Sequence, residues 1–85
     1  MAENKIGLVF QFFAKPSVAA VKITDGTLKV GDRIHILGNT TDLKQIVDSM
    51  QVEHAQIPEG KPGDQVGIKV RDRVRPHDVV YKVTE

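Results

Sequence analysis

Turn-forming residues interrupt this chain so often that no helix of ordinary length fits between them. Lys15-Pro16-Ser17, Asp25-Gly26, Val30-Gly31-Asp32, Gly38-Asn39-Thr40-Thr41-Asp42, the stretch 57–64 with two prolines and two glycines, and Arg75-Pro76-His77-Asp78 follow in succession. Glycine and proline end regular structure by supplying or forbidding particular backbone angles, so what lies between them must be short. Those short runs are rich in valine and isoleucine, whose branched side chains suit a pleated, half-buried surface. Seven strands are expected: Lys5 to Phe13, Val18 to Thr24, Arg33 to Leu37, Leu43 to Met50, Gln51 to Gln56, Gln65 to Arg71 and Val79 to Val83. Alternation is clearest at Val66, Ile68 and Val70, with Gln65, Lys69 and Arg71 facing the other way. Leu43, Ile46 and Val47 could also form a helical turn, but no amphipathic continuation follows and strand is the expected state. The class is all-β, a small barrel or sandwich.

With 85 residues, all apolar segments are expected to share the core of a single domain spanning 1–85. Little apolar material is left to line a deep cleft, so a shallow binding surface is expected. Twelve cations and eleven acids give a net charge of +1, so any attraction to nucleic acid must be local. The chain has no cysteine, which excludes disulfides, thiolate metal sites and thiol nucleophiles. No leader-like segment opens it and its apolar runs fall short of a membrane span, so no membrane association and a cytoplasmic location are expected.

One local pattern recurs: cation, any residue, Gly or His, then Asp, then an apolar strand. It occurs as Lys29-Val30-Gly31-Asp32, Lys61-Pro62-Gly63-Asp64 and Arg75-Pro76-His77-Asp78. Glycine suits the positive φ of a bend, and the aspartate can accept a backbone N–H two residues on. The spacings of 32 and 14 residues are unequal, which argues for shared turn chemistry and against a solenoid repeat.

The run Gly26-Thr27-Leu28-Lys29-Val30-Gly31-Asp32-Arg33-Ile34 resembles a segment of domain two of translational GTPases such as elongation factor Tu. Gly63-Asp64-Gln65-Val66-Gly67-Ile68-Lys69-Val70-Arg71 is similar to a later strand of that domain, in the right order, and Asp78 to Val83 is similar to its closing strand. The resemblance covers nearly the whole chain and implies a small closed antiparallel β-barrel of six to seven strands. Gly26, Gly31, Asp32, Gly63, Asp64 and Gly67 are then structural: Asp25-Gly26 a tight hairpin, Gly31 a second bend, Leu28 a plug at the barrel end, and Gly67 a bulge or a close backbone approach. No phosphate-binding G-x-x-x-x-G-K-[ST] segment is present, so no nucleotide is expected. The sequence differs from the family pattern at Ala14-Lys15-Pro16-Ser17 and at Val21. In elongation factor Tu this neighbourhood helps receive the aminoacyl end of tRNA. A similar barrel is also appended to some collagenase-like peptidases of the U32 type.

Lys69, Arg71, Arg73 and Arg75 stand at every second position, and in an extended chain they would form a basic stripe roughly 20 Å long that could track phosphates. Arg71 matches the family's strand-ending arginine, and Lys22, Lys29 and Arg33 are further candidates. By strict alternation Phe10 and Phe12 share a face with Phe13 opposite, and an exposed one could stack on a base. His35, His54 and His77 show no short-range ligand spacing, so neither metal nor cofactor is expected. Ser17 and Ser49 lack a nucleophile context and no carboxylate pair is arranged for acid–base work. The expected function is a non-catalytic binding module for tRNA, ribosomal RNA or a translation-related protein, using the basic face. The alternative is a protein-interaction or accessory module for a separately encoded enzyme.

Overall fold

A computed structural model describes residues 2–52 and 55–84. Ten strands follow in order: β1 (Ala2–Phe13), β2 (Val18–Ile23), β3 (Leu28–Lys29), β4 (Arg33–Leu37), β5 (Asp42–Ile46), β6 (Met50–Val52), β7 (Ala55–Ile57), β8 (Glu59–Gly60), β9 (Gln65–Lys69) and β10 (Val79–Thr84). The described residues contain no helix. All seven expected segments contain strand, and Leu43–Ile46 is strand rather than helical turn. The expected Leu43–Met50 strand is divided because Val47 leaves the sheet. Its N–H donates to the Asp32 carbonyl at 2.8 Å, and its own carbonyl accepts the Gly31 N–H at 2.8 Å. The two-residue strands β3 and β8 pair only with each other and carry no alternation of their own.

The other eight strands form one antiparallel sheet in the order β5-β4-β10-β1-β2-β9-β6-β7. Alternate residues point inward, among them Ile34 and Ile36 of β4, Val21 and Ile23 of β2, and Val66 and Ile68 of β9, all at most 1% exposed. They join Leu28, Met50, Val74 and Val80 in one core cluster drawn from strands across the whole sheet, so the sheet curls around a common interior. It is not closed by a strand ladder, which corrects the expected closed barrel of six to seven strands: β5 and β7 are its free ends. The seam is bridged by a side chain. Gln45 of β5, only 5% exposed, donates its Nε2–H to the Lys69 carbonyl at 2.9 Å and accepts the Arg71 N–H on Oε1 at 2.9 Å. Its amide thus supplies the donor and acceptor that a neighbouring strand's peptide would have offered to the end of β9.

The three recurring turns are built alike. The aspartate N–H donates back to the carbonyl of the cation three residues earlier, at 3.0 Å (Asp32 to Lys29), 2.9 Å (Asp64 to Lys61) and 3.2 Å (Asp78 to Arg75). The aspartate carboxylate accepts that cation's backbone N–H in return, at 2.9, 2.9 and 2.8 Å. The aspartate therefore reaches three residues back, not two forward as the sequence suggested. The third position has φ of 97° at Gly31, 94° at Gly63 and 78° at His77. A non-glycine residue there costs about 1 kcal/mol, so the histidine turn carries a strain that its two siblings lack. Gly26 also has positive φ, but the strands on either side of it do not pair with one another, so Asp25-Gly26 is a bend and not a hairpin.

His35, on the outer side of β4, ties three strands together. Its Nδ1 lies 2.8 Å from Glu3 Oε1 on β1 and its Nε2 lies 2.6 Å from Asp42 Oδ1 on β5, with the Tyr81 ring of β10 at 6.3 Å. A neutral imidazole has one N–H and could serve only one of these carboxylates, so the site favours the doubly protonated ring. Burial opposes the charge, but the hydrogen bonds and charges of Glu3 and Asp42 outweigh it and hold the pKa above 6.5.

Replacing Gln45 by alanine strands the Lys69 carbonyl and the Arg71 N–H, and stability falls by about 1–3 kcal/mol in denaturant unfolding. The His35 contribution is present in full below about pH 6.5 and fades as pH rises through the raised folded-state value. Unfolding free energy measured across mildly alkaline pH should therefore decline, and Glu3→Gln should lower the imidazole pKa read by NMR and flatten that decline.

Candidate docking groove

The outer face of β1, β2, β9 and β6 carries an open groove of about 650 Å³, bordered by Phe10, Phe13 and Pro16 and floored by Val18, Ala20 and Gly67, with Gln51 and Val52 beyond. Strand β1 carries two irregularities, and the second shapes the groove. The register with β10 shifts between Lys5 and Gly7, and the register with β2 shifts between Val9 and Gln11. Phe10 is the extra residue of the second shift, so the inside–outside alternation slips by one position there. Val9 stays in the core at 1% exposure, Phe12 packs against the core, and Phe10 and Phe13 stand 45% and 44% exposed on the groove side. This overturns the expected pairing of Phe10 with Phe12, because strict alternation cannot count across a bulge.

The floor is shallow because its residues are small. Ala20 pairs with Gly67, and Gly67 with Gln51, in unbroken register, so Gly67 is neither a bulge nor a close backbone approach. A Cβ at Gly67 would meet Val18 Cγ1 at 3.1 Å and Gln51 Cγ at 3.2 Å on the groove floor. The close backbone approach falls at Gly7 instead, where a Cβ would run into the Lys22 carbonyl oxygen.

The predicted basic residues are dispersed. Strand β9 stops at Lys69, and Gln45 holds the Arg71 N–H as the chain bends away at Arg71 and Asp72. Arg71, Asp72 and Arg73 are exposed in succession between buried Val70 and Val74, so the four cations do not alternate along one strand as the sequence suggested. Lys22 and Lys69 share the outer face of β2 and β9 but face Gln65 and Val18, four residues apart, which puts them about 13 Å from each other at strand spacing. Lys29 and Arg33 are exposed at either end of the Gly31 turn, whose Asp32 pairs with Lys82 Nζ at 3.2 Å. His35 is locked between Glu3 and Asp42, His77 is exposed in its turn, and His54 lies outside the described residues.

The groove can therefore receive apolar side chains, and its lining carries no paired acid and base. Sequence reading missed it because its two walls depend on the bulge, while its floor depends on which small residues become neighbours across β2 and β9.

Comparison with known proteins agrees with this architecture. Residues 17–75 match the family model described as elongation factor Tu domain 2. The chain is 40% identical over 82 residues to an uncharacterized protease of Methanocaldococcus jannaschii, covering 95% of this chain and 20% of the relative. It is 32% identical over 78 residues to a collagenase of Porphyromonas gingivalis, covering 91% of this chain and 22% of that protein. The chain thus spans about a fifth of the length of the curated relatives it matches. In three dimensions it is similar to the crystal structure of the C-terminal domain of a Geobacillus thermoleovorans protein described as a U32 peptidase. The TM-score is 0.87 at 19% identity, over 95% of this chain and 93% of that one. A selenomethionine form of the same domain gives a TM-score of 0.84 at 19% identity, over 91% and 96%. The bent all-β sheet, the ordered glycine–aspartate turns and the family match lead to one conclusion: the chain belongs to the elongation factor Tu domain 2 family.

Proposed function

We propose that this chain is a non-catalytic accessory module that packs against a peptidase of the U32 type, whether joined to it or supplied separately, through the groove between Phe10 and Phe13. The observation that carries this reading is the pair of half-exposed phenylalanines in a chain with only four aromatic residues. Exposed large aromatics beside a small-residue floor are the usual anchors of a protein interface, since they bury much apolar area at little entropic cost. The relatives support the context, because proteins named as a protease and a collagenase carry this region within a chain about five times longer.

The RNA reading has less to stand on. A net charge of +1 supplies no general attraction, and the cations expected to track a phosphate backbone are divided between a strand end, a bend and separate turns.

The test mixes the purified chain with a purified U32-type catalytic domain lacking its own terminal barrel. The expected complex is nearly insensitive to salt and forms with a negative heat-capacity change. The double substitution Phe10→Ser, Phe13→Ser should weaken it at least tenfold while shifting stability by only about 0.5 kcal/mol per site. If the chain ignores that domain and instead binds tRNA with a steep salt dependence that Arg71→Ala and Arg73→Ala remove, the proposal fails.

A further inference from the structure

A second cleft, of about 620 Å³, opens at the other side of β10, between the Gly38–Thr40 loop and the Arg75-Pro76-His77-Asp78 turn. We infer that it is a carboxylate-binding site, read by Arg75 and His77. This inference is independent of the groove and of its partner.

The strain in the turn motivates it. The same hydrogen-bonded geometry is made twice with glycine at the third position and once with His77 at φ 78°. The residue is exposed and its ring makes no hydrogen bond among the described residues, so only its backbone N–H, which donates to the Val9 carbonyl at 2.7 Å, ties the strained residue to the rest of the chain. Strained backbone of this kind concentrates where a side chain must be held for a ligand. Arg75 is exposed on the same wall and forms no ion pair among the described residues, while its N–H is fixed by Asp78 Oδ2 at 2.8 Å. Pro76 stiffens the chain between the two. Exposed Asn39 and Thr40 face them with an amide and a hydroxyl, and Leu37, 39% exposed, adds apolar surface.

Charge selects the class of ligand. A guanidinium fork binds a carboxylate or a phosphate through paired hydrogen bonds. The buried carboxylate of Asp78 also lines the cleft, packed so closely on Gly38 that no side chain fits there. The exposed Arg75 cation beside the fixed Asp78 anion suits a singly charged carboxylate better than a doubly charged phosphate, with the apolar margin receiving the atoms next to it.

The experiment is an NMR titration of the isotope-labelled chain with four probes: N-acetyl-Ala-Ala with a free terminal carboxylate, the same dipeptide as its amide, N-acetyl-Glu-amide, and inorganic phosphate. Amide shifts at residues 38–40 and 75–79 are expected with a carboxylate probe, the first or third compound telling a chain terminus from an acidic side chain. The neutral amide should bind at least tenfold more weakly. His77→Gly should raise the unfolding midpoint and weaken binding several-fold, and Arg75→Gln should abolish binding with the fold intact. The inference is overturned by equal binding of acid and amide, by phosphate binding as well as either carboxylate, by no shifts at these residues, or by a His77→Gly variant that keeps its affinity or gains no stability.

Discussion

The fold depends on how an open sheet is held shut. Hydrogen-bonded strands account for the sheet from β5 to β7, but the two ends do not meet in a ladder. The amide of Gln45 on β5 spans the seam, donating to the Lys69 carbonyl at the end of β9 and accepting the N–H of Arg71 just past it. Gln45 is itself buried, so its amide would be costly to leave unpaired, and these two bonds satisfy it next to the segment whose Ile68, Val70 and Val74 enter the core.

Turns share the remaining task. The aspartate clasp at Asp32, Asp64 and Asp78 fixes where each following strand, β4, β9 and β10, begins. Of these strands β4 and β10 are neighbours toward one end of the sheet and β9 lies toward the other, so repeats of one short device act at both ends of the curve. His35 adds a longer-range tie among β1, β4 and β5 near one free end. The clasps act within four residues of sequence, whereas the tie joins residues 32 positions apart.

That difference in range explains what could be read from the amino-acid sequence. The turns, though not the direction of the aspartate's bond, were legible because glycine, aspartate and spacing all lie within a few residues, and Val66 with Ile68 announced an inward face because β9 is regular. The bridging role of Gln45 was not legible, since a buried glutamine resembles a solvent-facing one until its partners 24 and 26 residues away are known. The basic stripe failed for a related reason: alternation in the letters continues past Lys69, but the backbone does not continue as strand. The neighbours of Gly67 and the partners of His35 likewise exist only after non-local pairing.

The bulge at Phe10 has a consequence for comparing this chain with others. A groove built by one extra residue in β1 is a property of residue count, not of residue identity. A relative that keeps three aromatics in this segment but is one residue shorter between Gly7 and the Ala14–Ser17 turn would turn a different ring outward and present a different surface. A relative with other large apolar residues at the same count would preserve it. Gaps in an alignment of this hairpin therefore carry functional information that similarity of the letters conceals.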